Sequence, residues 1–258
     1  MKKYLHDLQK RTDLLFYLVT SGLKAQHRNS FLGYCWWLLD PLLGAGIYYF
    51  VVVYVFRRQD EHYGMFLVIG MMVWRWLSAT ITMASRSIVS QARIITQVYL
   101  PKIIFPLSAV CTQLINFGFG LLIIAFFALF FHVRLGLTIF WLPYITLMQL
   151  CFCAAIAVLV SYVSVFVRDM EDVLGHVLRV WFFGSPVIWS EELVTERNQW
   201  LVTYNPMAHF LSAYREVIVQ QTNPDVWTLL LIGAASALAM TYLVYYFSQH
   251  EHKIIKAL

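Results

Sequence analysis

The sequence predicts an all-α polytopic membrane protein, and three observations carry that prediction. The composition is wrong for water: 60% of the 258 residues are hydrophobic and only 13% are charged, where a soluble domain runs near 45–50% and about 25%. The apolar residues form long stretches, three of which contain no Asp, Glu, Lys or Arg. The basic residues behind the net charge of +5 fall in short runs between those stretches. They read as topology signals and not as the basic face of a nucleic-acid-binding domain.

The first element, residues 1–30, reads as an amphipathic helix lying in the membrane interface. Leu5, Leu8, Leu15, Leu18 and Val19 are mixed with charges, and the uncharged run from Leu14 to Leu23 is half the length of a span. Asp7, Lys10, Arg11 and Asp13 interrupt the apolar core that a cleaved signal peptide needs, so the segment is expected to be kept. Residues 31–258 follow as one transmembrane domain. A span needs about 20 apolar residues to cross about 30 Å of hydrocarbon at 1.5 Å per residue. Six segments qualify: 31–56, 63–84, 103–131, 137–166, 173–190 and 226–249.

Two connections are more than loops. Residues 85–102 place Ile88, Ile95 and Val98 at helical spacing among basic residues and close on Pro101, which predicts a cytoplasmic docking helix. Residues 191–225 contain Asn205-Pro206, an N-cap followed by Pro at the first helical position. Met207, Phe210, Leu211, Tyr214, Val217 and Ile218 then recur on one face. At roughly 22 Å for some 15 residues, that helix is too short to cross and should dip into the outer leaflet as a re-entrant element. With six spans, the basic residues of both termini and of 85–102 outnumber Arg57, Arg58, Arg134, Arg197 and Arg215 on the other side, so both termini are expected in the cytoplasm.

The chemistry is sparse. No Walker A, G-x-G-x-x-G, H-E-x-x-H or G-x-S-x-G motif occurs, so the chain is not expected to hydrolyse nucleotide or to bind a cofactor of its own. Cys35, Cys111, Cys151 and Cys153 lie in apolar stretches without metal or redox spacing and read as buried thiols. His250, Glu251 and His252 read as a solvated tail, and no metal site is expected. Gly233 and Ala237 read as a small-residue packing face on the last span.

Charges within the apolar stretches stand out, because each is costly to insert. Asp40 and Arg75 both lie nine residues, roughly 13 Å, from the inner ends of spans one and two. Arg179 lies six residues, roughly 9 Å, into span five. Two readings stand side by side: a structural Asp40–Arg75 pair with Arg179 snorkelling to the interface, or guanidinium groups facing a passage for a phosphate-bearing ligand.

The order of parts, with five local motifs, resembles the ABC-2 type permeases that export lipid-linked polysaccharides. Leu32-Gly33-Tyr34-Cys35-Trp36-Trp37, leading to Asp40-Pro41, is similar to that family's opening of span one. Val98-Tyr99-Leu100-Pro101-Lys102 is similar to its Lys-Val-Tyr-Phe-Pro segment after span two, with Gln97 and Leu100 departing from the pattern. Phe166-Val167-Arg168-Asp169 resembles its Phe-Arg-Asp turn, and Ser185-Pro186-Val187 and Tyr204-Asn205-Pro206 match elements around its outer gate.

The resemblance implies a homodimer of this chain with two copies of a separate ATPase, which would hold ATP and Mg, in a bacterial plasma membrane. Arg86, Arg93, Tyr99, Lys102, Arg168 and Asp169 would couple to the ATPase. Pro186, Tyr204, Asn205 and Pro206 would form the outer gate. Tyr34, Trp36, Trp37, Trp74 and Trp76, with Asp40, Arg75 and Arg179, would line the passage, since aromatic faces stack on sugar rings. The wording of the sequence ranks wall teichoic acid first as the exported polymer, then lipid-linked O-antigen or capsular polysaccharide. An integral-membrane glycosyl- or acyltransferase is the alternative of another class, but the outer acids Glu191, Glu192 and Glu196 form no convergent acid–base set.

Overall fold

The computed structural model describes residues 11–25, 39, 43–44, 46–50, 63–97, 100–133, 136–167, 169–191 and 194–257, and among these every regular element is helical. They are α1 (Thr12–Ala25), α2 (Tyr63–Ser87), α3 (Ala92–Gln97), α4 (Ile104–Phe130), α5 (Leu142–Phe166), α6 (Met170–Gly184), α7 (Trp200–Thr203), α8 (Pro206–Arg215) and α9 (Val226–Ala257). Span one is described only in short helical pieces, so Tyr34, Trp36, Trp37 and Asp40 lie outside the described residues.

Among the described residues, four helical stretches are long and apolar enough to cross a membrane: Tyr63–Gln91, Ile104–Phe130, Leu137–Phe166 and Val226–Lys256. Each overlaps an expected span, but the first and the last run on beyond the expected ends at residues 84 and 249. Their inner ordering follows from burial. In the most apolar window of each, 72% of the first stretch is enclosed by its neighbours against 17% of the last. α2 is therefore the central helix, packed on α4 and α5, while α9 lies along the outside of α5. Gly233 lies in that contact, facing the side chain of Met148.

The expected fifth span, 173–190, is corrected to a shorter helix. α6 has 15 residues, roughly 22 Å, which falls short of the hydrocarbon thickness. It begins three residues earlier than expected, at Met170, with Glu171 and Asp172 in its first turn, where the helix dipole favours acids. It ends at Gly184 because Pro186 excludes the helical conformation for the residue before it, and Ser185 is extended (φ −107°, ψ 149°). Ile188 and Trp189 continue the apolar run beyond that break but not the helix.

The connection after α2 bends through a 3₁₀ turn at Val89–Gln91 into α3. Ile88 and Ile95 are buried, as their spacing predicts. They join Ile103, Phe105, Val165, Phe247 and Ile254 in a second core at the end of the molecule that holds α1 and the C-terminal end of α9. The reading of residues 250–252 as a solvated tail is corrected in part: α9 continues as helix to Ala257, and Glu251 and Ile254 are buried, while His252 is exposed.

Candidate functional site

The sequence motifs gather at the two ends of the bundle. At the end near the termini, Arg86 closes α2 and grips Glu171 at the start of α6, its Nε 2.6 Å from Oε2 and its Nη2 on Oε1. The pair is exposed and so adds little stability, but its two-pronged geometry fixes the end of α2 beside the turn that carries Asp169. A cleft of about 470 Å³ opens there, lined by Ser85, Arg86, Val89, Ser164, Met170 and Glu171. Arg93 is exposed on α3. Tyr99 and Arg168 lie outside the described residues.

Lys102 is not on that surface. It is 1% exposed, with its Nζ 3.3 Å from Glu251 Oε2. Its own backbone N–H donates to Glu251 Oε1 at 2.9 Å. Its expected role as a direct docking contact is corrected accordingly: the side chain is committed inside the chain because a buried ammonium needs a buried anion.

At the opposite end, Asn205 joins two motifs that lie 20 residues apart. It caps α8 by accepting from the Met207 N–H (3.0 Å), and the same oxygen accepts from Trp181 Nε1 (3.0 Å). Its amide nitrogen donates to Ser185 Oγ (2.8 Å) and to the Gly184 carbonyl (3.3 Å). The end of α6, the Ser185-Pro186-Val187 turn and the start of α8 are thereby one unit, in which Pro206 occupies the first helical position. Tyr204 projects from it, 82% exposed. With His176, Val180, Trp181, Trp200 and Pro206 it lines an apolar cleft of about 620 Å³.

Sequence reasoning missed Arg215 at this end, counting it as a topology charge. It is 5% exposed and donates to the carbonyls of Pro186 (2.5 Å), Val187 (2.9 Å) and Phe66 (3.3 Å). Its guanidinium carbon sits 3.3 Å from the centre of the Phe66 ring, a cation–π contact. The nearby Glu191 carboxylate instead takes the Ser212 hydroxyl. Gly70 makes the approach feasible, because a Cβ there would lie 2.6 Å from both Arg215 Nη2 and the Val187 carbonyl oxygen. The signal was present in the sequence: Met207, Leu211 and Arg215 share one face of α8. Just beyond, Asp225 starts α9 by accepting from the Thr228 hydroxyl (2.6 Å) and N–H (3.2 Å). These bonds hold its carboxyl below the usual range.

Among the described residues, the expected passage residues Trp74, Arg75, Trp76 and Arg179 do not converge within one chain. Trp74 and Trp76 are 7% and 2% exposed. Trp74 meets Trp181 and Phe182 edge-on, and Trp76 stacks on Phe117 at 4.2 Å. Both are therefore corrected to core residues in this conformation, turned inward because α2 is central. Arg75 and Arg179 are exposed on the surfaces of α2 and α6. Among the described residues, no group of three His, Cys, Asp or Glu side chains is placed to hold a metal ion.

Comparison with known proteins bears on this arrangement. The family described as ABC-2 type transporter matches residues 13–219. The O-antigen export system permease protein RfbA of Klebsiella pneumoniae is 30% identical over 208 residues, covering 80% of each chain. The protein of the same name from Myxococcus xanthus is 26% identical over 242 residues, covering 93% of each.

Proposed function

The chain belongs to the ABC-2 type transporter family, and from that premise we propose that it is the membrane subunit of an ATP-driven exporter of a lipid-linked polysaccharide of the O-antigen type. The observation that carries the polymer class is that relatives named as O-antigen export permeases align over four-fifths or more of their own length. This reverses the order expected from sequence wording alone, which placed wall teichoic acid first. A glycosyl- or acyltransferase finds no support in the relatives found.

In this reading two copies of the chain pair with two ATPase subunits, which hold ATP and Mg, and both termini face the cytoplasm. The exposed Arg93 on α3, the Arg86–Glu171 clasp and the turn at Asp169 offer one continuous surface for the ATPase, with Tyr99 and Arg168 beside it in sequence. The Asn205 unit and Tyr204 form the outer gate. Arg75 and Arg179 face away from the core, where a second copy or the anionic linkage of the substrate would meet their guanidinium groups.

The test is co-expression with candidate Walker-A-bearing ATPases and purification into lipid. A stable complex whose ATP hydrolysis rises with lipid-linked O-antigen, and not with lipid-linked teichoic acid, is expected. The opposite preference would move the assignment to teichoic acid, and failure to assemble with any ATPase would refute the permease role.

A further inference from the structure

We propose that Glu251 and Lys102 are a positioning pair that locks the connection between α2 and α4 to the C-terminal end of α9. Movement imposed on that connection would then reach α4 and α9 together. The inference rests on the permease reading, in which residues 85–102 receive the motion of the ATPase.

The geometry is unusually complete for a terminal helix. One carboxylate takes both the backbone N–H and the ammonium of the same residue. Lys102 stands at the turn that ends the connection, one residue after Pro101 and two before α4 begins. A negative group there also suits the amino-terminal end of α4. The carboxylate is brought to this point by a kink. His250 leaves helical geometry (φ −116°, ψ 16°), its ring stacks on Tyr246 at 4.2 Å, and its Nδ1 lies 3.0 Å from the Tyr246 carbonyl oxygen. Phe247 and Ile254 flank Glu251 at helical spacing and enter the core that contains Ile88, Ile95, Ile103 and Phe105. The end of α9 is thus inserted into the connection from its far side.

A purely adhesive role would not call for charges here. Burying an ion pair carries a desolvation cost that an apolar replacement avoids, and such replacements are often neutral or stabilising. What the charged pair adds is a single register: the carboxylate must meet a backbone N–H and an ammonium at once. Apolar side chains in the same space would allow the two segments to slide. The Arg86–Glu171 clasp at the other end of the connection is open to water on both partners, so its two-pronged contact holds register less tightly than a buried pair does.

The experiment compares Glu251→Gln, Lys102→Arg and the double variant Lys102→Met/Glu251→Met in the complete complex with the ATPase in lipid. Complex yield, basal ATP hydrolysis and polymer moved per ATP are measured. The wild type and Lys102→Arg are expected to move polymer in similar ratio to ATP. Glu251→Gln and the double variant should keep basal hydrolysis while that ratio falls by about fivefold or more, the usual scale of a coupling between sites. The double variant guards against misfolding, since it removes both charges of this pair together. If it is stable and moves polymer as efficiently as the wild type, the pair is only structural and the proposal falls. A wild-type complex that hydrolyses ATP without any response to polymer would instead refute the permease reading, and this inference with it.

Discussion

Lys102 and Arg215 are the two basic side chains buried to over nine-tenths among the described residues, and they sit at opposite ends of the same bundle. At the terminal end, a lysine meets a carboxylate from 149 residues away. At the other end, an arginine is held by three backbone carbonyls and the face of Phe66. The difference follows from the cations themselves. An ammonium is a compact, strongly hydrated point charge that needs an anion when water is removed. A guanidinium spreads its charge over a planar fork of donors and can be satisfied by carbonyl dipoles and a ring. The Lys102 clasp therefore depends on charge, and the Arg215 clasp on shape.

The strongest way to break this comparison is to give both ends the same apolar side chain. Lys102→Met takes the ammonium from the buried Glu251 carboxylate, leaving it the backbone N–H of residue 102, and is expected to cost about 3–5 kcal/mol, the range for removing one partner of a buried pair. Arg215→Met strands only carbonyls and removes a desolvated charge along with its bonds, so about 1–3 kcal/mol is expected. Denaturation of the two purified variants in detergent gives the order. A larger loss at Arg215 would mean that the carbonyl cradle, and not the ion pair, is the principal clasp.

A finer test uses Gly70. Adding a methyl group there puts a Cβ against Arg215 Nη2 and the Val187 carbonyl, and overpacking of this kind costs about 1–3 kcal/mol. If shape governs the Arg215 end, part of that loss should disappear when Gly70→Ala is made in the Arg215→Met background, because one of the two clashing groups is gone. Additive losses in a double-mutant cycle would show that the clash is with the Val187 backbone alone.

These clasps also mark where sequence reading stopped. The charge-free spans 103–131 and 137–166 emerge within a few residues of α4 and of the helical stretch ending with α5, because the length needed to cross lipid is a local constraint written in consecutive residues. The end of α6 was written in Pro186, yet the apolar residues after it carried the expected span to 190. Glu251 and Arg215 lie on otherwise apolar helix faces, Phe247-Glu251-Ile254 and Met207-Leu211-Arg215, so their spacing was visible. Their partners were not, since Lys102, Phe66 and Pro186 come from distant segments that only the fold brings near. Trp74 and Trp76 were misplaced for the same reason: adjacency to Arg75 in sequence says nothing about which face of α2 is enclosed.

Asn205 lies between these cases, because its cap was legible and its other three bonds were not, and a pair of substitutions separates the two contributions. Asn205→Ala removes the cap and every side-chain contact, with an expected loss of about 0.5–2 kcal/mol. Asn205→Asp keeps an acceptor for the Met207 N–H and Trp181 Nε1, and the Ser185 hydroxyl can turn to donate to it. The Gly184 carbonyl loses its amide donor and meets a carboxylate oxygen in its place, which opposes part of the gain from the charge. A negative charge at the start of α8 is also favoured by the helix dipole, by about 0.3–1 kcal/mol. Asn205→Asp should therefore be nearly neutral in thermal denaturation, below the loss for Asn205→Ala. Equal losses would show that the amide donor, joining α8 to the Ser185-Pro186 turn, matters more to this unit than the cap does.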